Sequence, residues 1–125
     1  MAHDALIFDA IRTPRGKGKP GGSLYEVKPI DLLVNLMEAM KQRNELDTSR
    51  VEDLVIACGE PVGEQGQDIA RTAVNYSSWD DATAGVQIHR FCAGGLDAVN
   101  MAAAKVAAGF EDLVAAGGVE SMSRI

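Results

Sequence analysis

One cysteine stands in a setting suited to covalent chemistry. Val86, Ile88 and Phe91 lead into Cys92, and Gly94 and Gly95 follow it before an alanine-rich stretch. The apolar, β-branched residues read as a short buried strand and the glycines as the opening of a helix. Cys92 is therefore expected at or just before a helix N-terminus, where unpaired N–H groups and the positive end of the helix dipole favour a thiolate. A thiolate fixed in a tight turn is a competent nucleophile. The competing reading is a small residue that only packs. The strand–cysteine–glycine–glycine–helix context favours the nucleophile.

The other chemically capable residues read differently. Cys58 ends a second apolar run, Leu54 to Gly59, with no helix directly after it and no partner near in sequence, so it reads as structural. Of the two histidines, His3 and His89, only the second lies near Cys92. Strand geometry gives its ring no reason to reach the sulfur, so it reads as a packing or subunit-interface residue rather than a base. The basic, glycine-rich loop from Arg15 to Ser23 invites a phosphate-binding reading, but no G-x-x-x-x-G-K-[S/T] spacing is present. It reads as a solvated connection. Two cysteines form no disulfide framework and no metal-ligand spacing. Neither a metal nor a resident cofactor is expected, and reduced thiols fit a reducing compartment.

The elements that must position Cys92 follow from periodicity. Ala5 to Ile11 is a continuous apolar run, read as a first strand covered on both faces and ended by Pro14. Pro29 and Asp31 start a helix whose buried face is Ile30, Leu33, Val34, Met37 and Met40, fraying near Gln42–Asn44. Leu54 to Gly59 is a second strand. Asp68 opens a second helix through Tyr76, with Arg71 a candidate partner for a carboxylate and Trp79 an anchor for the loop beyond. After the strand before Cys92, a third helix spans about Gly94 to Gly109, and Leu113 to Gly118 is a fourth strand. The order βαβαβαβ predicts an α/β fold with a largely parallel sheet and helices on both faces.

The chain has 125 residues, enough for one modest domain, with 46% hydrophobic residues and a net charge of −6. That charge argues against nucleic acid or an anionic membrane surface as main partner. The longest weakly apolar run, Met101 to Phe110, is interrupted by Lys105 and is too short to span a bilayer. The N-terminus carries Asp4 and no long apolar core, so no signal peptide is read there and a cytoplasmic location is expected. The third helix is so poor in charge that it should be covered almost all round. Too little chain is present to cover it, and residues 1–125 read as the front of a larger domain.

Four segments carry a family resemblance. His89-Arg90-Phe91-Cys92-Ala93-Gly94-Gly95-Leu96-Asp97-Ala98 resembles the thiolase nucleophile motif N-R-F-C-A-S-G-L-x-A. Arg12-Thr13-Pro14-Arg15-Gly16-Lys17, Gly63 to Arg71 (G-x-Q-x-x-x-x-A-R) and Ala116-Gly117-Gly118-Val119-Glu120-Ser121-Met122-Ser123 resemble three more thiolase segments in the family's order. The flavour is closest to bacterial 3-ketoacyl-CoA thiolases of fatty-acid β-oxidation. The resemblance implies about the first third of such an enzyme, a thiolase N-terminal domain whose C-terminal half is absent. It implies a layered fold of two similar α/β halves, with the third helix between them. It implies Cys92 as the acyl-carrying nucleophile, acyl-CoA as substrate and coenzyme A as co-substrate. It also implies a homodimer or homotetramer when full length, sometimes with a hydratase/dehydrogenase subunit. The activating histidine and a second, acid–base cysteine belong to the family's C-terminal half, so the chain by itself is expected to be inactive. His89 departs from the usual Asn, Gly94 from the commoner Ser, and Asp97 from Gln or Glu. The alternatives are a biosynthetic acetoacetyl-CoA thiolase, and a non-catalytic thiolase-like remnant acting by partner binding. A nucleotide-binding α/β domain is disfavoured, because no G-x-G-x-x-G follows the first apolar run.

Overall fold

The apolar run after Glu52 becomes the centre of the fold. A computed structural model describes residues 2–125. Its regular elements are α1 (Pro29–Arg43), β1 (Asp53–Ala57), α2 (Ile69–Tyr76), β2 (Ala84–Ile88), α3 (Gly94–Ala107) and β3 (Val114–Gly118). The strands form one parallel sheet in the order β2-β1-β3. Every residue of β1 is buried, since both its edges are paired and both its faces are covered. Leu54 and Ile56 pack with Leu33 and Met37 of α1 and with Ile69, Ala73 and Val74 of α2. Val55 and Ala57 face the other way, against Ala98 of α3. Alternation along a strand thus places helices on both sides of the sheet, as the α/β reading requires.

Local chemistry sets the helix ends. Pro29 occupies the first turn of α1, with Asp31 beside it and Lys41 and Arg43 in the last turn. The Asp68 carboxylate caps α2 by accepting the Arg71 N–H at 3.1 Å. Trp79 is buried, and its indole N–H donates to the Met37 carbonyl at 2.9 Å, which anchors the following loop to α1. Arg71 does not pair with a carboxylate. Its guanidinium donates to the carbonyls of Asp81 and Thr83 at 2.9 and 2.6 Å, satisfying backbone acceptors in the turn before β2.

One expectation is corrected and another is met. Residues 5–11 form no strand, so three strands form among the described residues rather than four. Leu6, Ile7 and Phe8 are exposed, and a groove of ≈ 580 Å³ lies between Phe8 and the Ser49–Glu52 and Asp112–Leu113 segments. A strand exists only where a neighbouring edge exchanges hydrogen bonds with it, and apolarity alone does not supply one. The third helix is covered on one side only. It packs on β1 and β3, while Leu96, Val99 and Met101 face outward.

Lys105 fastens the last turn of α3 to the sheet. Its ammonium donates to the Asp53 carboxylate and, at 3.2 Å, to Glu111. Hydrogen bonding to Asp53 holds its pKa above the usual 10.5, against the opposing pull of desolvation. A raised folded-state pKa contributes stability that is complete below pH 10.5 and is lost as pH rises through the folded value. Lys105→Met should cost about 1–2 kcal/mol near neutral pH, because the buried Asp53 carboxylate loses its partner while partial solvent screening limits the loss. Urea melts of both forms across the alkaline range check this. The wild type should lose its advantage over the variant as pH climbs beyond 10.5.

Candidate active site

Parallel strands in matched register deliver their following loops to one end of the sheet. Ala57 lies opposite both Ile88 and Gly118, so the segments after β1, β2 and β3 emerge together. The carboxyl end of a parallel sheet is where α/β folds place their ligand crevices. The three segments converge on Gly59, where a Cβ atom would lie 2.9 Å from Glu120 Oε2 and 3.7 Å from the Phe91 carbonyl oxygen.

Cys92 is the middle residue of a 3₁₀ turn, Phe91–Ala93, and precedes the Ala93 cap of α3. Its side chain is exposed. Gly94 is buried, and a Cβ there would stand 2.7 Å from the Ala57 Cβ. A side chain there would force Ala57 or the start of α3 to shift, so glycine lets the helix that follows Cys92 seat directly on β1 in this chain. Asp97 does not stand alone in the first turn of α3. Its carboxylate accepts from Arg90 Nε at 2.6 Å, which offsets its negative charge beside the cysteine turn. His89 turns its ring onto its own loop, with Nδ1 accepting the Phe91 N–H at 3.3 Å.

The second cysteine sits in an opposite environment. Cys58 is 2% exposed, and burial pushes its thiol up to about 11, with the Glu120 and Glu60 charges adding to the rise. A buried thiol of this kind is inert as a nucleophile near neutral pH.

One pair of residues escaped the sequence reading. Gln65 is 2% exposed, and its amide donates to Glu120 Oε1 at 2.6 Å and to the Glu60 carbonyl at 2.8 Å. Its own oxygen accepts the Ser121 N–H at 2.9 Å. Glu120 Oε2 accepts the N–H groups of Gly59 and Glu60 at 2.6 and 3.2 Å. Together they staple the loop after β1 to the loop after β3, next to the cysteine turn. Both residues lie in segments singled out by motif, but 55 residues separate them and spacing gave no sign that they meet. The basic loop, Arg15 to Ser23, is mostly exposed. Among the described residues no three His, Cys, Asp or Glu side chains are grouped to hold a metal, and no helix is long and apolar enough to cross a membrane.

The sequence profile described as "Thiolase, N-terminal domain" matches residues 5–125. The chain belongs to the thiolase family. The beta-ketoadipyl-CoA thiolase of Pseudomonas knackmussii is 40% identical across 99% of this chain and 31% of its own length. The 3-oxoadipyl-CoA/3-oxo-5,6-dehydrosuberyl-CoA thiolase of Escherichia coli is 39% identical, over 97% of this chain and 30% of its own. The crystal structure of the Bacillus anthracis acetyl-CoA acetyltransferase superposes with a TM-score of 0.88 at 30% identity, covering 98% of this chain and 30% of that one. The chain thus spans about a third of the length of the thiolases it matches. Three of the four thiolase-like segments meet at this end of the sheet: two of them form the Gln65–Glu120 staple, and a third carries Cys92.

The site makes two measurable statements. At about pH 8, iodoacetamide should modify Cys92 and spare Cys58, whose thiolate fraction there is on the order of one in a thousand. Peptide mapping by mass spectrometry reads both sites, and equal labelling would contradict the burial described. Gly94→Ser, the residue commoner in the thiolase motif, should destabilise this chain by about 1–2 kcal/mol through overpacking on Ala57. Ala57→Gly in the same chain should recover a large part of that loss in a denaturant melt, because it removes the opposing methyl group.

Proposed function

We propose that this chain supplies the acyl-carrying cysteine of a thiolase working as an acetyl-CoA acyltransferase. The observation that supports this best is the setting of Cys92, which is exposed at the start of α3, at the carboxyl end of a parallel sheet and within the matched thiolase region. In this reading the Cys92 thiolate attacks the 3-keto carbon of a 3-ketoacyl-CoA. The C2–C3 bond breaks, its electron pair stays on C2, and C2 takes up a proton as acetyl-CoA departs. The shortened acyl group remains on Cys92 as a thioester until the thiol of coenzyme A takes it and returns the cysteine. The Cys92 N–H is a donor for the developing oxyanion.

The base and the second thiol of the reaction are not supplied by the residues described here. His89 has its Nδ1 engaged with Phe91, and Cys58 is buried with its thiol raised to about 11. In this reading both groups come from the remaining two thirds of a thiolase, in a homodimer or homotetramer, with a hydratase/dehydrogenase subunit as a further partner. Coenzyme A enters as co-substrate, and the cytoplasm is the matching compartment. The substrate proposed is a 3-ketoacyl-CoA of fatty-acid β-oxidation, in line with the relatives named 3-ketoacyl-CoA thiolase. A second reading, a dicarboxylic 3-oxoacyl-CoA, is favoured by the names of the relatives at 39–40% identity.

The test is to purify this chain through a tag from its own cells, together with whatever accompanies it. Coenzyme A-dependent cleavage of acetoacetyl-CoA should co-purify, disappear in Cys92→Ser, and leave an acyl adduct on the Cys92 peptide when coenzyme A is withheld. Comparing acetoacetyl-CoA, longer 3-ketoacyl-CoAs and 3-oxoadipyl-CoA separates the substrate readings. The chain purified alone should give no turnover. Activity of the tagged material that survives Cys92→Ser, or material that neither turns over nor acylates Cys92, would favour a non-catalytic partner-binding role.

A further inference from the structure

Phe91, directly before Cys92, has φ +45°, a region that a bulky L residue enters only when its surroundings hold it there. The backbone hydrogen bonds of the turn, Gly94 N–H to the Phe91 carbonyl and Ala93 N–H to the Arg90 carbonyl, close around it, and His89 adds two side-chain contacts. The Phe91 N–H donates to His89 Nδ1 at 3.3 Å, and the two rings meet edge to face with centroids 4.7 Å apart. The residue between them is tied as well, since Arg90 Nε donates to Asp97 of α3 at 2.6 Å. We propose that His89 is the positioning residue of the nucleophile: its imidazole holds Phe91 in the left-handed conformation that turns Cys92 toward the open end of the sheet. An imidazole accepts through Nδ1 when its proton sits on Nε2. The Asn usual at this place in the thiolase motif carries Oδ1 at the same number of bonds from the backbone as His Nδ1. The departure from the motif therefore keeps an acceptor where the turn needs one.

The proposal rests on reading Cys92 as the nucleophile, yet its test uses no acyl-CoA, so the two can fail separately. In the full chain, His89→Phe keeps an aromatic ring and removes the acceptor, while His89→Asn removes the ring and keeps an acceptor. The rate of Cys92 alkylation by iodoacetamide should fall about fivefold in His89→Phe, the factor of one ordinary hydrogen bond. In His89→Asn it should stay within about twofold of wild type. Protection of Cys58 in the same digest reports that the fold is intact. The imidazole ¹⁵N spectrum of the wild type should show Nδ1 as the unprotonated nitrogen. His89→Phe alkylating at the wild-type rate with Cys58 protected would overturn the proposal. So would a spectrum with the proton on Nδ1, or His89→Asn as slow as His89→Phe.

Discussion

The closeness of Ala57 to Gly94 is the constraint on which the site depends. With 2.7 Å between the Ala57 Cβ and the place a Gly94 Cβ would occupy, α3 starts where its backbone can lie directly on β1. β1 is itself fixed from every side, paired on both edges and covered on both faces. The turn carrying Cys92 is thus measured from the one strand that is buried along its whole length.

Around that point the chain sorts like residues by environment. Cys58 and Cys92 follow adjacent strands and end at the same side of the sheet. One is buried under Glu120 with its thiol pushed up, and the other faces outward from a turn. The Gln65–Glu120 pair explains how the buried side is kept. A carboxylate shared among backbone N–H groups and one amide satisfies the donors of two loops at once, so neither loop has to shift toward the cysteine turn to find partners.

Much of this was legible in the sequence because it follows from local rules. Pro29, Asp68 and Gly94 mark helix starts through dihedral preference and capping, and each helix begins at or beside its marker. The apolar runs of β1, β2 and β3 were legible as strands, and Trp79 as an anchor, but the strand before Cys92, read as buried, is an edge strand with Val86 and the following Phe91 exposed. The first apolar run misled for a physical reason. Ala5 to Ile11 has the composition of a covered strand, but pairing is a property of two segments, and no paired edge reaches it here. Arg71 misled similarly, since a guanidinium is satisfied as well by carbonyls as by a carboxylate. Gln65, Glu120 and the His89–Phe91 contact lay beyond reach because each depends on where loops meet, or on a backbone angle that residue spacing does not encode.

The open edges of the sheet have a colloidal consequence. β2 and β3 each pair with β1 on one side, and among the described residues neither has a neighbour on the other. Leu6, Ile7 and Phe8 and the outward face of α3 add apolar surface nearby. Such edges accept any strand that arrives, including one from another copy. Copies of this chain share a net charge of −6, and added salt confines the repulsion between them to about 10 Å at 0.1 M. Ionic strength therefore sets the range over which the charges of two copies can hold those edges apart.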